Sequence, residues 1–193
     1  MNKNWTNKLY LFTISLFALG FFNIIFAWLG FACMIIPFVL LIKNGEKTWC
    51  QSYCPRAGLF TVLLQGRSLT GSAAPKWLTK GKVKWIFLIY FAINLFVLFM
   101  STLMVLRGKI QAVEKVRFMI AFQIPWNMPQ LLNIDTIPNW AVHLSFRVYS
   151  MMFTTTVIGM ALGWIYKPRT WCRICPVNTI SDMAIKKANS SLS

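Results

Sequence analysis

Long apolar runs divide the chain and predict where it crosses a membrane. The first run extends from Leu9 to Ile42 without a charged residue. At about 1.5 Å per residue it is too long for one untilted helix across a hydrocarbon core of about 30 Å. We therefore expect two short spans with a break between Gly20 and Gly30. One span followed by a re-entrant segment is the alternative.

Two later apolar runs each predict one transmembrane helix. They extend from Trp85 to Leu106 and from Val148 to Tyr166, and basic residues flank both. Between them, Phe118 to Phe146 is apolar but is interrupted by three prolines and an aspartate. We expect this part to be a non-spanning loop at the outer leaflet. The predicted fold class is an all-α integral membrane protein with four transmembrane helices.

Composition and charge agree with this fold class. Of 193 residues, 57% are hydrophobic and only 12% are charged, and the net charge is +16. In a soluble protein this charge would suggest nucleic acid, but here the basic residues flank apolar runs, so the expected partners are membrane lipids and not nucleic acid. Four spans put most basic residues on the side of both termini and the loop from Lys43 to Lys84. The positive-inside rule then predicts a multi-pass protein of a bacterial-type cytoplasmic membrane, with this side cytoplasmic.

The same order of elements occurs twice along the chain. In each half, two predicted helices precede a basic residue followed by Thr-Trp-Cys, at residues 47–50 and 169–172. Each motif ends in Cys-Pro, and a plausible amphipathic helix follows, at Arg56–Leu64 and Val177–Lys187. We therefore predict a duplicated architecture of two pseudo-repeated hairpins. It forms a single membrane domain over residues 1–193, with repeat 1 at 9–65 and repeat 2 at 85–187.

Four of the five cysteines belong to these motifs: Cys50, Cys54, Cys172 and Cys175. Four thiolates are the ligands that a cubane [4Fe-4S] cluster or a tetrahedral zinc requires. A cytoplasmic position argues against a structural disulfide, and close cysteine pairs followed by proline favour iron–sulfur over zinc or a thiol redox pair. The simplest arrangement is one cluster with two ligands from each motif. Two clusters completed by a partner's ligands are the alternative.

Several side chains near the motifs are candidates for contacts with a bound cluster beyond its cysteine ligands. Trp49 and Trp171 can shield it from water. Arg56, Arg169 and Arg173 can balance its charge, although lipid phosphate has an equal claim on each arginine.

Other candidate residues lie in the apolar runs. His143, the single histidine, and Asp135 are candidates for a quinone site, but an interfacial histidine satisfied by backbone or water is the favoured interpretation. Cys33 is expected to lie far from the motifs as a small packing residue. Gly159 and Gly163 form a Gly-x3-Gly pattern that predicts close helix packing.

The motif segments resemble those of membrane polyferredoxin-like 4Fe-4S binding proteins, namely NapH-type subunits and the C-terminal membrane core of NosR-type subunits. The matching stretches are residues 49–59 and 171–177, which carry Trp-Cys-x3-Cys-Pro and Trp-Cys-x2-Cys-Pro. The second spacing departs from the C-x3-C that is common in that family. The resemblance implies a membrane component that passes electrons between the quinone pool and a redox partner, with the four motif cysteines as ligands. The ferredoxin module usual in NapH-type proteins is absent, so further carriers are expected in other subunits with flavin, haem or more iron–sulfur clusters.

The predicted function is therefore that of a membrane electron-transfer subunit with a [4Fe-4S] cluster at the cytoplasmic face. It would relay electrons between the quinone pool or a partner redox subunit and another carrier. The alternative is a non-redox membrane scaffold or assembly protein with a structural four-cysteine zinc or cluster site. Because no nucleophile, base pair or nucleotide motif is present, we expect a non-catalytic subunit of an oxidoreductase complex.

Overall fold

The computed structural model describes residues 8–80, 82–112, 115–119, 122–123 and 137–190, and these are mainly helical. The helices in chain order are α1 (Tyr10–Phe22), a 3-10 helix (Ile24–Trp28), α2 (Leu29–Asn44), a π-helix (Trp49–Tyr53), α3 (Pro55–Leu64), α4 (Lys76–Lys80), α5 (Val83–Leu106), α6 (Asn139–Ile165), α7 (Thr170–Ile174) and α8 (Pro176–Ser190). Strands β1 (Arg117–Phe118) and β2 (Phe122–Gln123) pair antiparallel, with Phe118 opposite Phe122.

The first apolar run is broken at Asn23, inside the predicted interval. Its side-chain oxygen accepts a hydrogen bond from the amide of Ile25 at 2.9 Å and caps the 3-10 helix. Helix α1, before the break, has 13 residues. It is therefore about 20 Å long, shorter than a hydrocarbon core of about 30 Å. The predicted break is confirmed, and the first helical segment is a short one.

Among the described residues, three helical segments are long and apolar enough to cross a membrane. They are Ile24–Asn44, Lys76–Leu106 and Asn139–Ile165. Helix α1 is apolar but shorter than these three. Several apolar helices could thus span a membrane, and the fourth predicted span remains a prediction.

Helix α6 begins at Asn139, nine residues before the predicted start at Val148. In these early turns two polar side chains have hydrogen-bond partners. Ser145 donates to the carbonyl of Ala141 at 2.7 Å, and His143 Nε2 lies 3.0 Å from Ser101 Oγ. The prediction of a non-helical loop up to Phe146 was wrong for this end of the loop, and residues 124–136 lie outside the described part of the chain.

The chain divides into two compact units. The first, here called the cysteine unit, comprises Met1–Thr13, Cys33–Phe91 and Val157–Ser193, and it contains both cysteine motifs. The second unit comprises Ile14–Ala32 and Ala92–Thr156. The buried core of the cysteine unit is formed by Phe60, Leu64, Trp171 and Ile174. That of the second unit is formed by Ile24, Ala27, Val116, Phe146 and Tyr149.

Candidate metal centre

The first cysteine pair lies on a π-helix. Trp49–Tyr53 form this helix, and Cys54 follows with an extended backbone (φ −67°, ψ 111°) before Pro55 begins α3. A π-helix has more residues per turn than an α-helix because its hydrogen bonds run from residue i to i+5. The wider turn accommodates the three residues that separate Cys50 from Cys54.

The second cysteine pair lies on the short α-helix α7. Cys175 follows it with ψ 132°, donates its amide to the carbonyl of Trp171 at 2.9 Å, and precedes Pro176 at the start of α8. One α-helical turn of 3.6 residues matches the two-residue separation of Cys172 and Cys175. The predicted helices after the motifs are confirmed as α3 and α8, each beginning at the proline of its Cys-Pro pair.

Two glycines of α6 let the helix after the first motif approach the helix before the second. A Cβ at Gly159 would lie 2.5 Å from Cζ of Phe60, and one at Gly163 would lie 2.7 Å from Cδ1 of Leu64. Helix α3 therefore packs directly on the backbone of α6, and the predicted packing role of this glycine pair is confirmed. Because α3 follows Cys54 and α6 leads into α7, this contact brings the two motifs together.

Trp171 anchors the second motif in the core of the cysteine unit. Its side chain is 4% exposed and packs with Phe60, and its ring meets that of Phe87 edge to face at 5.4 Å. Cys175 packs against the same core. Trp49, in contrast, is half-buried. Of the two tryptophans, Trp171 therefore has the position suited to excluding water beside a cysteine.

The four motif thiols lie close together. Every pair among Cys50, Cys54, Cys172 and Cys175 is near enough for an electrostatic interaction. Burial, and then the neighbouring thiols, raise the pKa of Cys50 and of Cys172 to about 12 each. Burial also raises the pKa of Cys175. A metal or cluster that binds these residues as thiolates must therefore displace their protons.

Positive groups surround the thiols and partly offset this repulsion. Arg56 lies within electrostatic range of Cys175, which also accepts hydrogen bonds from the amides of Val177 and Asn178 in the first turn of α8. Arg169 is similarly close to Cys172. Both arginines thus lie near the motif thiols, and their role in balancing the charge of a cluster stays a prediction. The side chain of Arg173 is exposed, and its role stays a prediction.

Two residues near the site were not predicted to be there. Cys33 lies within electrostatic range of Cys54 and Arg56, so its predicted position far from the motifs was wrong. No sequence signal marks it, because it lies in the middle of an apolar run. Lys47 is close to Cys50. The sequence did carry a signal for this residue, because a basic residue precedes Thr-Trp-Cys in both motifs.

An ion-pair cluster connects the start of the first motif to α8. Lys47 Nζ pairs with Asp182 Oδ1, and Lys84 Nζ lies 3.8 Å from Asp182 Oδ2. The Lys47 and Asp182 side chains are 22% and 37% exposed. The cluster therefore helps to hold the segment before the π-helix, with the modest strength of partly exposed ion pairs.

Two kinds of metal centre can be compared with this set of donors. Among the described residues, no group of three or more His, Cys, Asp and Glu side chains is placed to hold one metal ion. Tetrahedral zinc, with Zn–S distances near 2.3 Å, would need thiolates about 4 Å apart. The iron–sulfide core of a cubane holds its four thiolates farther apart. Four neighbouring thiols, two amide donors and adjacent arginines fit such a cluster.

Of the two residues predicted for a quinone site, the structure describes only His143. His143 is 1% exposed and its Nε2 lies beside Ser101 Oγ, so a side chain of the second unit is a hydrogen-bond partner of this histidine. Asp135 lies outside the described residues. A quinone site at these positions stays a prediction.

In a comparison with known proteins, one protein family matches the segments that contain both motifs. The family described as "4Fe-4S binding domain" matches residues 26–82 and 149–192, just over half of the chain. Each matched segment contains one cysteine motif with the helix after it and all or part of the membrane-length helix before it. Neither a curated protein nor a solved structure matches the chain significantly.

Proposed function

We propose that this chain, which belongs to the 4Fe-4S binding domain family, is a membrane electron-transfer subunit that holds one [4Fe-4S] cluster. Its ligands are Cys50, Cys54, Cys172 and Cys175. The observation that carries the proposal is the proximity of every pair of these thiols, including the pairs formed between the two motifs. Two separate clusters would each need ligands from elsewhere, whereas one shared cluster uses the four that are already together.

The surroundings of the thiols suit a redox site. Hydrogen bonds from the amides of Val177 and Asn178 and the charge of Arg56 favour the more negative, reduced form of a bound cluster and so raise its reduction potential. The buried ring of Trp171 limits access of water.

The cellular setting of the proposal rests on the apolar helices and on the distribution of basic residues. Three described segments could span a membrane, and the positive-inside rule favours a cytoplasmic position for both motifs. One cluster at one face cannot by itself bridge a hydrocarbon core of about 30 Å. The quinone pool, or a partner subunit with flavin, haem or a further cluster, is therefore the other terminus of electron flow.

The proposal is tested by a redox titration of anaerobically purified protein. We expect an EPR signal of a reduced cluster to appear on addition of dithionite and to disappear reversibly on reoxidation with a soluble quinone. A protein that contains zinc and no labile sulfide would instead support the structural scaffold. A cluster that does not change oxidation state within the range of biological carriers would also contradict electron transfer.

A further inference from the structure

Two arginines of the second unit lie close together, and the Nε group of each is buried without a hydrogen-bond partner among the described residues. Arg117 belongs to β1, and Arg147 belongs to α6. The two guanidinium groups are near enough to interact electrostatically. The Nε atoms of both are buried without a hydrogen-bond partner. In the described part of the chain, neither arginine takes part in an ion pair.

This arrangement is unfavourable unless an anion is bound to it. Arg147 lies eight residues, or about 12 Å, from the first residue of α6, a helix apolar enough to cross a membrane. Buried cations in such a segment are costly, and a second positive charge beside the first adds repulsion. Unsatisfied guanidinium donors add the cost of lost hydration. An anion between the two arginines would remove all three penalties.

The structure provides a pocket at this position. Its polar lining consists of Arg117, Arg147, Asn94, Ser150 and Thr154. The enclosed part of the pocket has a volume of about 20 Å³, and the pocket is partly open to the outside. This is room for about one water-sized group, so the oxygens of an anion can reach the arginines while the rest of the ligand lies in the open mouth.

Strand β1 is fixed against α6 in a way that positions the first arginine. The amide of Arg117 donates to Ser150 Oγ at 3.0 Å, and the amide of Met119 donates to Thr154 Oγ1 at 3.3 Å. Ser150 Oγ in turn donates to the carbonyl of Phe146 at 2.7 Å. These bonds use the two hydroxyls to hold the backbone, and they leave the guanidinium groups as the charged donors of the pocket.

We infer that this pocket binds a phosphate-type oxyanion, with Arg117 and Arg147 as its ligands. Guanidinium groups present hydrogen-bond donors in a planar fork that matches the oxygens of a phosphate group. Two such groups provide enough donors for the oxygens of the anion and a positive charge at least equal to its negative charge. The phosphodiester of a phospholipid headgroup and free inorganic phosphate share this chemistry. The site is independent of the proposed cluster, since its residues belong to the second unit.

The experiment measures phosphate binding to the full-length protein after delipidation in detergent. One arm adds phosphatidylglycerol, one adds inorganic phosphate, and one adds monoolein, which has no phosphate. Binding is followed by phosphorus content per chain and by the shift in Tm. A saturable response to phosphatidylglycerol alone identifies a lipid headgroup, and an equal response to inorganic phosphate identifies a free anion. Responses equal to that with monoolein in both arms would overturn the inference.

Matched variants assign the binding to the two arginines. We expect Arg147→Gln and Arg117→Gln each to weaken phosphate binding roughly tenfold or more, because each removes charge-assisted hydrogen bonds. Arg107→Gln removes the same charge from an exposed position of the second unit and should bind like the unaltered protein. If Arg147→Gln does not fold, Arg147→Lys keeps the charge but loses the planar fork, and it should still bind more weakly. Unchanged affinity in the arginine variants, or an equal loss in Arg107→Gln, would contradict the assignment.

Discussion

The two cysteine motifs reach the same arrangement through different turns. The first places three residues between its cysteines on a π-helix, and the second places two on an α-helix. Both then end at a cysteine with extended backbone, followed by a proline that begins the next helix. The extra residue of the first motif is absorbed by the wider turn. Equal spacing is therefore not required for each motif to place its second cysteine directly before a helix.

The largest expected effect separates a shared site from two independent ones. Cys50→Ser and Cys172→Ser should each abolish the cluster to the same extent, because either change removes one of its four ligands. Cys33→Ser is the control, since Cys33 lies close to Cys54 but outside both motifs. Iron and labile sulfide per chain provide the measurement. Retention of about half the iron in one cysteine variant would indicate two sites.

A change of spacing tests whether the π-helix is needed. Deletion of Ser52 gives the first motif the two-residue spacing of the second, which a π turn cannot accommodate without moving Cys50 or Trp49. We expect a severalfold loss of cluster content. Gln51→Gly keeps the spacing and changes only an exposed side chain, so it should retain most of the cluster. Equal iron content in both variants would show that the turn type is unimportant.

The contact between α3 and α6 links the two motifs, and a larger side chain at this contact should push the two helices apart. Gly159→Leu would place side-chain atoms where the ring of Phe60 now lies. Overpacking of this kind costs about 1–3 kcal/mol. Both thermal stability and cluster content should therefore fall. Ala161→Leu, at an exposed position of the same helix, is the matched control. A Gly159→Leu protein with normal Tm and iron content would contradict the role of this contact.

The smallest expected effect is on the ion-pair cluster before the first motif. Asp182→Asn removes the carboxylate that pairs with Lys47 and Lys84. Because these groups are partly exposed, the loss of stability should be at most about 1 kcal/mol. The difference in Tm from the unaltered protein should shrink at high salt. Lys187→Gln, at an exposed position of the same helix, is the matched control.

The sequence was sufficient for the features that local chemistry determines. Proline after Cys54 and Cys175 marked the starts of α3 and α8, and the small residues at Gly159 and Gly163 marked the close helix contact. The break at Asn23 followed from the length of an uncharged run. Each of these signals acts within a few residues, so that one sequence contains it completely.

Features that depend on tertiary partners could not be predicted in this way. The start of α6 depends on the contact between His143 and Ser101, which are distant in sequence. The proximity of Cys33 to Cys54 likewise arises only when α2 is packed. The π-helix also depends on tertiary structure, because the three-residue spacing of the first motif must place its cysteines beside the second motif. The pocket at Arg117 and Arg147 combines a strand and a helix whose association no local pattern indicates.

The most direct test of the central claim is the ratio of iron and labile sulfide to protein in the anaerobically purified chain. One cluster shared by the two motifs predicts about four irons and about four sulfides per chain. Twice these amounts would show that each motif holds its own cluster with additional ligands. About one zinc per chain without labile sulfide would contradict the account altogether.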